Sequence, residues 1–183
     1  QPLDKWDVGN VINMSNMFKK CFSFNQYLNN WDVSNVKNMY RMFTYCINFN
    51  QPLDKWNVKK VEDTSEMFRK CKSFNQSLNN WDVSNIVYMN SMFAVCEQFN
   101  QPLDKWNTSK VKNISGIFNG CSNFNQPLNN WNVSKVKKMN YMFCFCEKFN
   151  QPLDKWDVSN VRYMKDMFYR CDSFNQSLKS WKL

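Results

Sequence analysis

Apolar residues return along this chain every 25 positions. Written in rows of 25, Leu recurs from Leu3 to Leu178, and Phe in two columns, from Phe18 to Phe168 and from Phe24 to Phe174. Trp stands at Trp6, Trp31, Trp56, Trp81, Trp106, Trp131, Trp156 and Trp181, and Cys at Cys21, Cys46, Cys71, Cys96, Cys121, Cys146 and Cys171. The coils are therefore 1–25, 26–50, 51–75, 76–100, 101–125, 126–150 and 151–175, with a partial coil at 176–183 and the array expected to continue in a longer parent. Within a coil the spacing changes. Leu3, Trp6, Val8 and Val11, with their Trp-x-Val step, carry the alternation of a strand buried on one face. Val11, Met14, Met17, Phe18 and Cys21 then recur at intervals of three and four, the pattern of one helix face. Asp63 and Glu66 have the spacing of a capping box at the start of that helix.

One such unit cannot bury a Trp and two Phe by itself, whereas stacked units cover one another's apolar faces. The pattern predicts one domain over 1–183: an α/β solenoid, leucine-rich-repeat-like, of seven 25-residue coils, each with a short parallel strand and a short helix. The Trp and Cys columns are its structural ladders. A parallel ladder rises about 4.8 Å per coil, so seven coils span roughly 30–35 Å.

Polar columns refine this picture. Odd coils read Asp4-Lys5, Asp54-Lys55, Asp104-Lys105 and Asp154-Lys155, and even coils Asn29-Asn30, Asn79-Asn80 and Asn129-Asn130. The alternation separates like charges by about two rises, close to the Debye length; duplication of a 50-residue unit accounts for it equally. The Asn-Gln pairs at the coil junctions, such as Asn25-Gln26, are expected to bond to the backbone of adjacent coils rather than to a ligand.

With Phe49-Asn50-Gln51-Pro52-Leu53, Trp81-Asp82-Val83-Ser84-Asn85 and Met139-Asn140-Tyr141-Met142-Phe143, the chain resembles the 25-residue repeats of mycoplasma surface lipoproteins, relatives of the BspA-like leucine-rich family. The likeness covers the whole chain. It implies display at the cell surface or outside the cell and adhesion, and it brings no catalytic residues with it. Departures are mild: Thr64, Ile114 and Ile117 stand in Met columns and Thr108 in a Val column.

Composition narrows the chemistry. The chain has no His, which removes the commonest general base and every Ser-His-Asp or Cys-His arrangement. It has no Cys-x-x-Cys, so neither a metal site nor a cofactor is expected, and one Cys per coil reads as a small buried hydrophobe. Function is thus expected to be binding, not catalysis, across a solenoid face, with a protein or anionic glycan as partner. The alternative is end-to-end self-association through uncapped terminal coils into a filament. No run is long enough to span a membrane, and any membrane contact is expected through an anchor outside this segment.

Two surfaces are candidates. Columns on the presumed helix side vary between coils and carry Tyr40, Arg41, Tyr45, Arg69, Lys70, Tyr141, Phe145, Tyr169 and Arg170. They form either a tolerant solvent face or an apolar patch of the kind that marks interfaces. A basic stripe follows the presumed strand through Lys59, Lys60, Lys110, Lys112, Lys135, Lys137 and Lys138. It reads either as a solvated lysine-rich face or, with a net charge of +9, as a surface for anionic partners, and only four Arg and no known motif argue against specific nucleic-acid reading.

Overall fold

The computed structural model describes residues 2–182. Its coils stack in register, joined by isolated parallel bridges that run Asn13, Asn38, Asp63, Tyr88, Asn113, Lys138, Tyr163. The repeat solenoid is as the period requires. Its local structure is not the predicted strand plus helix: among the described residues there is no helix, and the parallel pairing is confined to those single-residue bridges.

Each coil is instead a chain of tight turns closed by bonds from an N–H to the carbonyl three residues earlier. In the second coil these join Leu28 to Trp31, Val33 to Val36, Met39 to Met42, Phe43 to Cys46 and Cys46 to Phe49. Every one of these residues is buried. Core residues therefore sit at the first and last positions of turns, which yields apolar spacings of three without a helix. The same holds for Leu3–Trp6 and Val8–Val11, the pair of steps that predicted a strand.

Two turns per coil have a left-handed third residue, the geometry of type II. In the second coil these are Arg41 (φ 56°) and Tyr45 (φ 67°), and the two columns repeat from Asn16 and Lys20 to Asp166 and Arg170. Only the fifth coil places glycine there, Gly116 (φ 60°) and Gly120 (φ 74°). A side-chain-bearing residue at such φ costs about 1–2 kcal/mol. The cost is offset between coils: the Arg41 N–H donates to the Ser65 carbonyl (3.0 Å) and the Tyr45 N–H to the Arg69 carbonyl (2.8 Å), with Met39 and Phe43 donating likewise to Asp63 and Met67. A helix would spend those N–H groups inside its own segment.

Side-chain dimensions explain why turns replace the helix. Packed helices lie 8–10 Å apart. Here the Phe43 ring stacks on Phe68 at 5.6 Å, and Phe49 on Phe74 at 6.0 Å. Within the coil Phe43 and Phe49 stack at 4.3 Å. A coil carrying aromatic columns on several sides must be thin on all of them, and turns joined edge to edge are thin where helices are not.

The ladders carry polar bonds as well as apolar contact. From Trp31 to Trp181 each Trp indole donates to the Leu carbonyl of the coil before, Trp56 to Leu28 at 3.0 Å. The thiols of Cys46, Cys71, Cys96, Cys121 and Cys146 do the same to a Phe carbonyl, Cys71 to Phe43 at 3.0 Å and Cys96 to Phe68 at 2.9 Å. The cysteines are thus donors, not only small hydrophobes. In the first coil Trp6 (52% exposed) and Cys21 lie at the surface.

The junction amides behave as expected. Asn100 Oδ1 accepts the Asn125 N–H (2.9 Å) and the Gln126 amide (3.1 Å), and the same pair of bonds recurs at the other junctions, Asn50 Oδ1 accepting from Asn75 and Gln76. The alternation of acidic and neutral coils also has a bonding basis. Asn29 donates to Asp54 (2.8 Å) while accepting the Lys55 N–H (3.0 Å), and Asn79–Asp104 and Asn129–Asp154 repeat the bridge. Two stacked carboxylates could not make that bond. Stacked Trp pairs join the alternate interfaces, from odd coil to the following even coil: Trp6–Trp31, Trp56–Trp81, Trp106–Trp131 and Trp156–Trp181, at 6.0–6.4 Å.

Candidate interaction surfaces

The variable columns project from the left-handed turns. Arg41, Tyr45, Lys70, Tyr141, Phe145 and Arg170 hold positive φ themselves, and Tyr40, Arg69 and Tyr169 are their chain neighbours. This geometry turns the side chains away from the core and fixes their origin on a hydrogen-bonded ladder. Sequence variation in these columns reflects that outward aim.

The structure gathers them into two groups. Around coils one to three, Glu66 accepts from Arg41 (2.7 Å) and Arg69 (2.9 Å). Burial raises the Glu66 carboxyl, but the two guanidinium bonds and charges outweigh it and hold it below its ordinary value. Asp63 and Glu66 therefore do not form a capping box: Asp63 Oδ1 accepts the Ser65 N–H (2.8 Å) to close a local turn, and Glu66 serves the arginines. Lys70 Nζ donates to the Tyr45 hydroxyl (2.9 Å), and this bond keeps that phenol below its usual value. Phe22 meets Tyr45 edge-on at 6.4 Å.

The second group, on coils six and seven, is barer. Phe145 and Tyr169 meet edge-to-face at 5.5 Å, with exposures of 46% and 56%, and Tyr141 stands nearby in the other left-handed column. Arg170 leans toward Asp172 at 3.5 Å. Among the described residues no ion pair or ring contact joins the first group to the second.

The basic stripe lies beside the parallel bridges. Lys60 donates to Asn35 (2.7 Å) and Lys110 to Asn85 (2.5 Å), so the preceding coil positions both ammonium groups. A shallow depression of about 410 Å³ is lined by Lys37, Lys60, Glu62, Asn85, Val87 and Lys110. A smaller one of about 200 Å³ is lined by Tyr88, Lys112, Asn113, Lys137 and Lys138. Lys59 sits earlier on the same stripe, exposed in the turn that Asn57 caps, and Lys135 is exposed at the level of the sixth coil. Exposed Tyr88 and Tyr163 stand in the column that the sequence pattern assigns to a helix cap, and so are not among the predicted surface residues. Their signal was present: an aromatic residue in a column otherwise filled by Asn, Asp and Lys.

The remaining chemistry is sparse. Among the described residues no group of three His, Cys, Asp or Glu side chains is placed to hold a metal ion. All eight cysteines are free thiols. Burial pushes the Cys46 and Cys171 thiols up to about 12, and those of Cys71, Cys96 and Cys146 well above the ordinary range. Among the described residues no helix is long and apolar enough to cross a membrane.

Comparison with known proteins follows the repeat. The family model described as "Mycoplasma protein of unknown function, DUF285" matches residues 1–106 and again 88–183. The chain belongs to this family. Among solved structures the chain is similar to a leucine-rich-repeat protein of T. pallidum, at 17% identity and a TM-score of 0.61 over 90% of this chain and 72% of that one. At that identity the likeness concerns the fold: a stacked, leucine-rich-repeat-like solenoid, here built from turns. A search of curated proteins finds no match.

Proposed function

We propose that this chain is a non-catalytic, surface-displayed interaction module that binds a protein partner across the left-handed-turn columns. The observation that carries the reading is the Phe145–Tyr169 pair, two half-exposed aromatic rings 5.5 Å apart on a backbone held by inter-coil hydrogen bonds. Aromatic side chains on a rigid support lose little entropy on contact and are the commonest energetic anchors of protein interfaces. Tyr141 and Arg170 extend the same surface with a hydroxyl and a guanidinium. The lack of His in the sequence supports a binding role over acid–base catalysis. Surface display rests on the resemblance to repeats of mycoplasma surface lipoproteins.

The test is an array of immobilised purified extracellular proteins probed with the wild-type chain and with Phe145→Ser/Tyr169→Ser. At least one signal is expected to fall about tenfold or more in the variant, the equivalent of about 1.4 kcal/mol, with the melting temperature retained. Signals that are all unchanged would remove the aromatic pair, and with it this reading.

A further inference from the structure

The basic stripe changes character along the solenoid. In the first four coils the column after the buried Val or Ile reads Ile12, Lys37, Glu62 and Val87, and Asp63 follows Glu62. In coils five to seven the same column reads Lys112, Lys137 and Arg162. Lys110 and Lys135 stand two residues before, Lys138 one residue after, and no acidic residue occurs in 109–113, 134–138 or 159–163. All six cations are exposed. The bridges Asn113–Lys138–Tyr163 place the three segments directly side by side. Charges of one sign therefore recur at about the 4.8 Å coil spacing with no counter-charge among them, and Glu62 meets the array only at its edge, in the depression that Lys110 lines.

Such an array is costly for the free protein and is relieved by an anion that runs along it. The 200 Å³ depression between Lys112, Lys137 and Lys138 is below the usual volume of a small-molecule pocket, so the ligand is one that lies across the coils and does not enter them. Residue type narrows its chemistry. Ammonium groups meet anionic oxygens as point charges without the bidentate fit of a guanidinium, so they read the density of charge along a ligand more than the shape of one group, which suits a densely sulfated chain. The single Arg of the patch is turned onto its own backbone, Arg162 donating to the carbonyls of Ser159 (3.2 Å) and Val161 (3.3 Å). Single-stranded nucleic acid would need free aromatic faces for its bases. Of the two tyrosines beside the patch, Tyr163 presents one ring face to the Lys138 ammonium at 5.6 Å, so only its outer face and Tyr88 remain open. We infer that coils five to seven form a binding site for a linear sulfated polysaccharide, held by Lys110, Lys112, Lys135, Lys137 and Lys138.

This inference goes beyond the aromatic reading: it concerns other columns and another ligand, and each can fail without the other. Its test is binding to immobilised heparin over a salt series, for wild type, Lys112→Gln/Lys135→Gln/Lys137→Gln, and Lys5→Gln/Lys55→Gln/Lys105→Gln. The two variants lose the same three charges, the second from an exposed column elsewhere. The patch variant is expected to bind about tenfold or more weakly with a shallower salt dependence, and the control to stay within about twofold. Thermal melting of both variants establishes that each is folded. Equal losses in the two variants would reduce the effect to net charge and overturn the site. Retained binding to fully desulfated heparin would overturn sulfate as the group recognised, and tighter binding of an oligo-dT strand would overturn the polysaccharide. Absence of wild-type binding at low salt would overturn the whole inference.

Discussion

Replacing Asn100 with Ala tests the junction ladder at its centre. The substitution removes one oxygen that accepts two bonds, from the Asn125 N–H at 2.9 Å and from the Gln126 amide at 3.1 Å. Asn100, Asn125 and Gln126 are half-buried, so water replaces the lost acceptor only in part. An orphaned buried donor costs about 1–3 kcal/mol, and two partly buried ones together about 2 kcal/mol. In a solenoid this loss falls on the interface between the fourth and fifth coils, the middle of the array. With a urea slope of about 2 kcal/mol/M, the unfolding midpoint followed by circular dichroism should drop by roughly 1 M. Asn100→Asp keeps a carbonyl-type acceptor in place and should lose markedly less. A midpoint for Asn100→Ala within about 0.2 M of wild type, or an Asp variant as unstable as the Ala variant, would refute the acceptor argument.

Three further outcomes follow from the turns and ladders. Lys20→Gly, at an exposed residue with φ 65°, should stabilise by about 0.5–1 kcal/mol, because glycine carries no left-handed penalty there. Conversely, Gly120→Ala, where a Cβ would meet Val95 Cγ2 at 3.4 Å with φ at +74°, should destabilise by about 1 kcal/mol; thermal melts read both, and a fall for Lys20→Gly sinks the strain argument. Iodoacetamide at pH 8 should label folded protein at exposed Cys21 well before the thiols buried at Cys71, Cys96, Cys121 and Cys146, and all eight after denaturation; rapid labelling of Cys96 in folded protein would contradict the ladder. Glu66, depressed when folded, contributes stability that is fully present above its ordinary value of 4.5 and is lost as pH falls through the depressed folded value. Glu66→Gln should accordingly flatten the acid limb of a stability-against-pH curve, and an unchanged limb would show that its bonds to Arg41 and Arg69 do not carry that dependence.

The period, the inward set of residues and the junction amides were all legible in the sequence, because each column repeats a side chain whose chemistry has one economical place in a stack. Trp, Leu, Phe and Cys had to face inward, and Asn-Gln at every junction had to satisfy backbone between coils. The strand and helix were misread because apolar spacings of three belong to a helix face and equally to the two ends of a tight turn. Met39, Met42, Phe43 and Cys46 satisfy both descriptions. The choice between them lies with the neighbouring coil, which takes the N–H groups of Met39, Arg41, Phe43 and Tyr45 and brings Phe43 and Phe68 to 5.6 Å. The surfaces divide in the same way. Column by column, the sequence shows which residues are free to vary and where lysines accumulate. Only stacking decides that Arg41 and Arg69 converge on Glu66, that Phe145 meets Tyr169, and that Lys112, Lys137 and Lys138 share one face without a carboxylate among them. Apart from the local Arg69–Glu66 pair, those are relations between residues about 25 apart in the chain, set by hydrogen bonds from coil to coil that no single coil can make alone.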